Sequence, residues 1–165
     1  TGTALDIGCG FGRSVSWMAN YYERVIGTDI SEHVIATATK NCEHLDNIAL
    51  YVNGPDSLPA DIPPASVDVA YIFTVFQHIP REYTQNILCN VERVLKPGGK
   101  VVFNLLSNIN EELNEGEQHT EWAIGYSDDQ ARNLLRDSGL REERLVRWSR
   151  LETDINWLWV AGIKH

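Results

Sequence analysis

The 165 residues, 43% hydrophobic and 22% charged, suit a single soluble domain (1–165) with room for a sizeable core. No run of about 18 apolar residues is present to cross a membrane and no basic-then-apolar leader opens the chain, so a cytoplasmic location is expected. A net charge of −9 with scattered Lys and Arg repels a phosphate backbone and argues against a nucleic-acid partner. The cysteines, Cys9, Cys42 and Cys89, are widely spaced, fit neither a disulfide framework nor a zinc site, and read as free thiols.

In chain order, Thr3–Ile7 reads as a strand that runs into a glycine loop. Arg13–Tyr22 reads as a helix with Val15, Met18, Ala19 and Tyr22 on one face. Arg24–Thr28 is a second strand, and Ser31 is placed to cap a helix running to about Cys42. Ile48–Val52 is a third strand. Val67–Phe73 is a fourth, and its continuous apolar character predicts burial on both faces. Arg81–Leu95 carries a helical stripe of Ile87, Leu88, Val91 and Leu95, which Pro97-Gly98-Gly99 ends in a turn before a fifth strand, Lys100–Leu106. The polar stretch 107–125 reads as a loop or lid. Ser127 is placed to cap a helix running to Ser138, and Leu140–Trp148 and Asn156–Ile163 close the chain as an antiparallel strand pair. Strand and helix alternate, which calls for a parallel sheet with helices on both faces and a ligand site at the carboxyl ends of the strands.

The residues at those strand ends carry the chemistry. Gly8, Gly10 and Gly12 lie between a strand and a helix, so they permit sharp turning and close approach of a ligand. A dinucleotide fingerprint requires a third small residue at position 13, where this chain has Arg13, which counts against NAD or FAD. Asp6 is placed to accept N–H bonds from the loop, or to face an ammonium group, or simply to form a turn. Asp29 ends the second strand 21 residues after Gly8, where a carboxylate reaches ribose hydroxyls, and so points to an adenosine-like ligand.

Several segments resemble, in the right order, the motifs of the class I S-adenosylmethionine-dependent methyltransferases. Leu5–Arg13 looks like their first motif. Val25–Ser31 is similar to their second-strand segment, and Val67–Phe73 followed by Gln77-His78-Ile79-Pro80 to their fourth-strand motif. Val94–Phe103 resembles the fifth-strand motif closely, and Tyr126–Leu140 the helix before the last strands. The resemblance implies a Rossmann-like, mostly parallel twisted sheet of about seven strands with helices on both faces and an antiparallel last strand pair.

It also implies S-adenosylmethionine as methyl donor and S-adenosylhomocysteine as product, and the acidic charge and the polar lid favour a small-molecule acceptor over a nucleic acid. Gly8, Cys9 and Gly10 would line the methionine and ribose, with Arg13 at the end of the loop motif. Asp29 would hold the ribose and Ile30 would pack on adenine. The Phe73 backbone would meet the methionine ammonium, with Thr74 beside it. The family often carries an Asp for the adenine amino group after the third strand. Asp56, with Ser57 as its neighbour, is the stand-in within Asn53–Pro59, which is one residue shorter than the family's run.

Methyl transfer from a sulfonium requires alignment and exclusion of water, and no metal. Phe11, Phe73, Phe76, Trp122 and Tyr126 are candidates for an aromatic face toward the sulfonium, and His78 and His119 for a base. Family members usually have helices upstream of the first strand, where this chain begins. A non-catalytic cofactor-binding or scaffold domain, and an NAD-dependent oxidoreductase, stand as alternatives.

Overall fold

The computed structural model describes residues 1–107, 124–149 and 156–165. His119 and Trp122 lie outside the described residues. The strands are β1 (Thr3–Ile7), β2 (Arg24–Asp29), β3 (Ile48–Val52), β4 (Val67–Ile72), β5 (Leu95–Ser107), β6 (Gly125–Tyr126), β7 (Leu140–Ser149) and β8 (Asn156–Lys164). The α-helices are α1 (Arg13–Met18), α2 (Glu32–Asn41), α3 (Arg81–Val94) and α4 (Asp128–Asp137), with a short 3-10 turn at Phe76–His78.

Alternation of strand and helix forces parallel neighbours, because each helix carries the chain back across a sheet face. β3, β2, β1, β4 and β5 lie side by side in that order, all parallel. β8 then pairs antiparallel with β5, and β7 antiparallel with β8, which leaves β7 at the edge. Two-residue β6 pairs with the end of β5. From β1 the chain goes first outward to β2 and β3, then crosses to β4 on the other side. The carboxyl ends of β1 and β4 are therefore the switch point, where an open α/β sheet leaves a crevice.

Two apolar clusters hold the layers. The larger joins Leu5, Ile7, Ile72, Phe103, Leu105, Leu158 and Val160 of the sheet to Leu88, Val91 and Leu135 of α3 and α4. The smaller joins Ala4 and Val25 to Val15, Met18 and Ile35 of α1 and α2.

Three local expectations are corrected. α1 ends at Met18 rather than Tyr22, and the Asn20 side-chain amide donates to the Ser16 and Trp17 carbonyls, satisfying acceptors that a longer helix would have used. α3 ends at Val94, and Leu95 already pairs with Val67. The next aligned pair is Lys100 with Val69, so Pro97-Gly98-Gly99 loops out within the strand pairing instead of separating helix from strand. β4 is not buried on both faces: Val67, Ala70 and Ile72 are buried, while Val69 and Tyr71 are only partly covered.

The Ser127 cap is fully formed. Its hydroxyl accepts the Gln130 N–H and the Gln130 side chain accepts the Ser127 N–H, a reciprocal capping box. Ser127→Ala is expected to lower stability by about 1 kcal/mol, read as a shift of the urea midpoint with unchanged slope.

Candidate functional site

β1 ends in a loop that cannot accept side chains freely. Gly8 has φ +75°, and a Cβ there would collide with Val75 from the end of β4. Gly12, with φ +87°, precedes α1 and packs against α2, where a Cβ would lie 2.8 Å from Cys42 Sγ. The N–H groups of Gly8 and Cys9 both donate to the Thr28 carbonyl, at 2.8 and 2.9 Å. The loop is thus fastened to the end of β2.

Asp29 completes the fastening. Its Oδ2 accepts the Gly10 N–H at 3.1 Å and its Oδ1 accepts the Ser31 N–H at 3.0 Å. A carboxylate has about four lone-pair positions, so two remain for a ligand. Asp29, Gly8 and Ile30 line a cavity of about 480 Å³ together with Ile7, Asn53, Pro55, Thr74, Val75, His78, Ile79 and Ile87. The volume lies in the range of small-molecule sites. Ile30 is 60% exposed and offers an apolar surface at the cavity.

Asp6 does not hold the loop as one of its expected roles required. It is 2% exposed and accepts a short hydrogen bond from the Ser14 hydroxyl of α1. Burial pushes its pKa up from 3.8 to about 6, the Ser14 bond works against that rise, and Asp29 adds to it. Cys9 turns into the smaller core, and burial pushes its thiol up to about 12. Arg13 is exposed at the start of α1 and is not among the cavity residues.

The β4 end supplies the opposite wall. Thr74 has φ +58°, rare for a β-branched residue and costing roughly 1–3 kcal/mol. Buried Asn104 of β5 holds it there by accepting the Thr74 N–H at 2.7 Å. The Phe73 carbonyl accepts the Thr74 hydroxyl at 2.6 Å, and the Phe73 ring lies against Tyr71 and Trp159. His78 lines the cavity from the 3-10 turn. Among the aromatic candidates, Phe76 and Tyr126 are buried in the larger core, whereas Phe11 is exposed.

Asp56 and Ser57 stand apart from the cavity lining. Asp56 accepts a hydrogen bond from Asn86 of α3 at 3.0 Å, and Ser57 is exposed. Sequence reasoning passed over Asn53. Its N–H donates to the Asp29 carbonyl at 3.0 Å, and its buried Oδ1 has no hydrogen-bond partner among the described residues. No local signal in the sequence marks Asn53: only the register of the folded sheet, with Val52 aligned to Asp29, places the next residue beside the acid.

Residues 5–103 match the family model described as a methyltransferase domain, which spans more than half the chain. The chain belongs to the methyltransferase domain family. It is 30% identical over 104 residues to a ubiquinone biosynthesis O-methyltransferase of Methylococcus capsulatus, covering 63% of this chain and 43% of that one. It is 34% identical over 98 residues to a demethylmenaquinone methyltransferase of Tropheryma whipplei, covering 59% and 39%. The chain thus spans less than half the length of these relatives. In fold it is similar to an S-adenosylmethionine-dependent methyltransferase from Mesorhizobium loti, with a TM-score of 0.80 at 21% identity, covering 98% of this chain and 90% of that one.

The Asp6 burial makes a signed prediction. Its native pKa is raised, so the native state binds its proton more tightly than the unfolded chain does. This favourable contribution is full below about 3.8 and is lost as pH climbs toward about 6. The stability difference between Asp6→Asn and the parent is therefore expected to shift in favour of Asn as pH rises from 4 to 6.5, measured by thermal unfolding at each pH. A difference independent of pH would show that the Asp6 carboxyl does not carry the raised pKa.

Proposed function

We propose that this chain is the catalytic core of an S-adenosylmethionine-dependent methyltransferase whose acceptor is a small molecule. The observation that carries the proposal is Asp29. It is fixed by the glycine loop and the start of α2, yet it lines the cavity at the switch point. The residues present fit an adenosine ligand. Asp29 retains acceptor positions for two ribose hydroxyls, Ile30 offers an apolar face to a purine, and the unpaired Asn53 Oδ1 fits an exocyclic amine better than Asp56 does, which is tied to Asn86.

In this proposal Gly8 lets the donor approach the backbone, and the Phe73–Thr74 segment lies beside the methionine portion. Asp6 and Gly10 belong to the same binding motif. Cys9 and Arg13 contribute through the shape of the loop rather than by side-chain contact, since Cys9 is buried and Arg13 points to solvent. When bound, S-adenosylmethionine supplies a methyl group already activated on sulfur, so the chain's work is to align the acceptor and exclude water. His78 is the cavity residue suited to accept a proton from an acceptor hydroxyl or amine.

The net charge of −9 and the quinone-pathway names of the two relatives favour a small acceptor over a nucleic acid. The free thiols Cys9, Cys42 and Cys89 suit a reducing cytoplasm, and residues 1–165 act as one domain.

Calorimetry tests the proposal. S-adenosylhomocysteine is expected to bind and NAD not to. Asp29→Ala is expected to weaken S-adenosylhomocysteine binding by about 1–3 kcal/mol, the range for losing a charged hydrogen-bond partner. Binding of NAD alone, or wild-type affinity in the variant, would overturn it.

A further inference from the structure

Asn104 does nothing for β5 that an apolar residue could not do. It is 3% exposed, in a strand where Val101, Phe103 and Leu105 are buried apolar residues. β5 is joined to β4 and β8 through backbone pairing, which needs no amide side chain. A buried amide costs free energy unless its polar atoms are bonded. Among the described residues its side chain makes one hydrogen bond, in which Oδ1 accepts the Thr74 N–H at 2.7 Å.

Thr74 breaks a local rule in its turn. Its φ of +58° suits glycine, and a β-branched residue enters that region at a cost. What threonine adds is its hydroxyl, which donates to the Phe73 carbonyl at 2.6 Å. That bond takes one of the carbonyl's two lone pairs and leaves the other. A strained residue held by a buried polar partner, with no gain to the sheet, points to a functional role.

The turn that Thr74 shapes also sets the spacing of the cavity walls. Val75 follows it, and Val75 Cγ2 fills the space where a Cβ on Gly8 would lie. Thr74, Val75 and Gly8 all line the cavity. One wall therefore runs from β5 through Asn104 to the turn, and the turn rests on the glycine loop. If Thr74 relaxed to negative φ, the direction of the Phe73 carbonyl relative to Val75 would change, and both contacts could not be kept.

We infer that Asn104 is a positioning residue for the methyl donor. By holding Thr74 in its left-handed conformation it fixes the Phe73 carbonyl for the donor's ammonium and keeps Val75 against Gly8, without touching the donor itself. The inference rests on the proposed methyl transfer. An ammonium needs acceptors in set directions, and a peptide carbonyl oriented before binding costs no ordering when the ligand arrives. Without the Asn104 bond the competent turn becomes a minority conformation. The apparent affinity then falls by the fraction of chains that still hold it.

The test is calorimetry of the full chain with S-adenosylhomocysteine, which carries the same ammonium, as a double-mutant cycle on Asn104 and Thr74. Leucine at 104 keeps the volume and loses the acceptor. Asn104→Leu is expected to weaken binding about tenfold in the parent. In a Thr74→Gly background the same change is expected to cost less than about twofold, since glycine adopts positive φ without a partner. A merely structural Asn104 would cost the same in both backgrounds. Parental affinity in Asn104→Leu, or an equal loss with and without Thr74→Gly, would overturn the inference. If urea titration shows that Asn104→Leu does not fold, amide exchange at Thr74 in the parent decides. Exchange should slow at least about threefold on saturation with S-adenosylhomocysteine, because a ligand that binds only the held turn suppresses its opening. Unchanged exchange would overturn the inference. Failure of S-adenosylhomocysteine to bind the parent would remove the methyl-transfer proposal, whereas binding by the parent with the contrary pattern among the variants removes this inference alone.

Discussion

Asp29 ties together three segments of the chain, two through its carboxylate and one through its backbone carbonyl. It receives the Gly10 N–H from the loop after β1 and the Ser31 N–H at the start of α2, while its own carbonyl accepts the Asn53 N–H from the end of β3. Bonds from N–H to a charged acceptor are stronger than neutral ones, and here they are partly shielded from water. The loop shape, the entry into α2 and the cavity wall all follow from this one group. Asp29 also lines the cavity, so the residue that organises the site is within reach of a ligand there.

The opposite wall relies on a different device. Thr74 is held in a left-handed conformation by Asn104, a buried polar residue whose place in β5 is set by pairing with β4 and β8. Strain at the end of β4 is therefore balanced by the sheet itself. Between the two walls lies Asp6, which burial and the neighbouring Asp29 make reluctant to ionise. Two carboxylates at the ends of adjacent strands thus have different environments: one is partly open and bonded to two backbone N–H groups, and the other is enclosed and bonded to a hydroxyl.

Much of this was legible in the sequence. The strand–glycine–helix rhythm gave the parallel sheet, and the acid 21 residues after Gly8 gave Asp29. Ser31 and Ser127 marked their helix starts correctly, because a capping hydroxyl is a local signal. What depended on neighbours across the sheet was not legible. Asp6 reads equally well as a loop anchor or a buried acid until the position of Ser14 is known. Asn53 was hidden behind Asp56, because family spacing drew attention to an acid while strand register favoured the amide. Pro97-Gly98-Gly99 announced a turn, and only the pairing of Leu95 with Val67 shows that the strand begins before it.

The most direct measurement is amide chemical-shift mapping of the full chain during titration with S-adenosylhomocysteine. If Asp29 fastens the loop and also receives the ligand, saturable shifts should concentrate at Gly8, Gly10, Ile30, Asn53 and Thr74, with the Gly10 amide among the largest because its hydrogen bond ends on the same carboxylate. Shifts confined to α4 and β7, with Gly10 and Ile30 unmoved at saturation, would contradict the account.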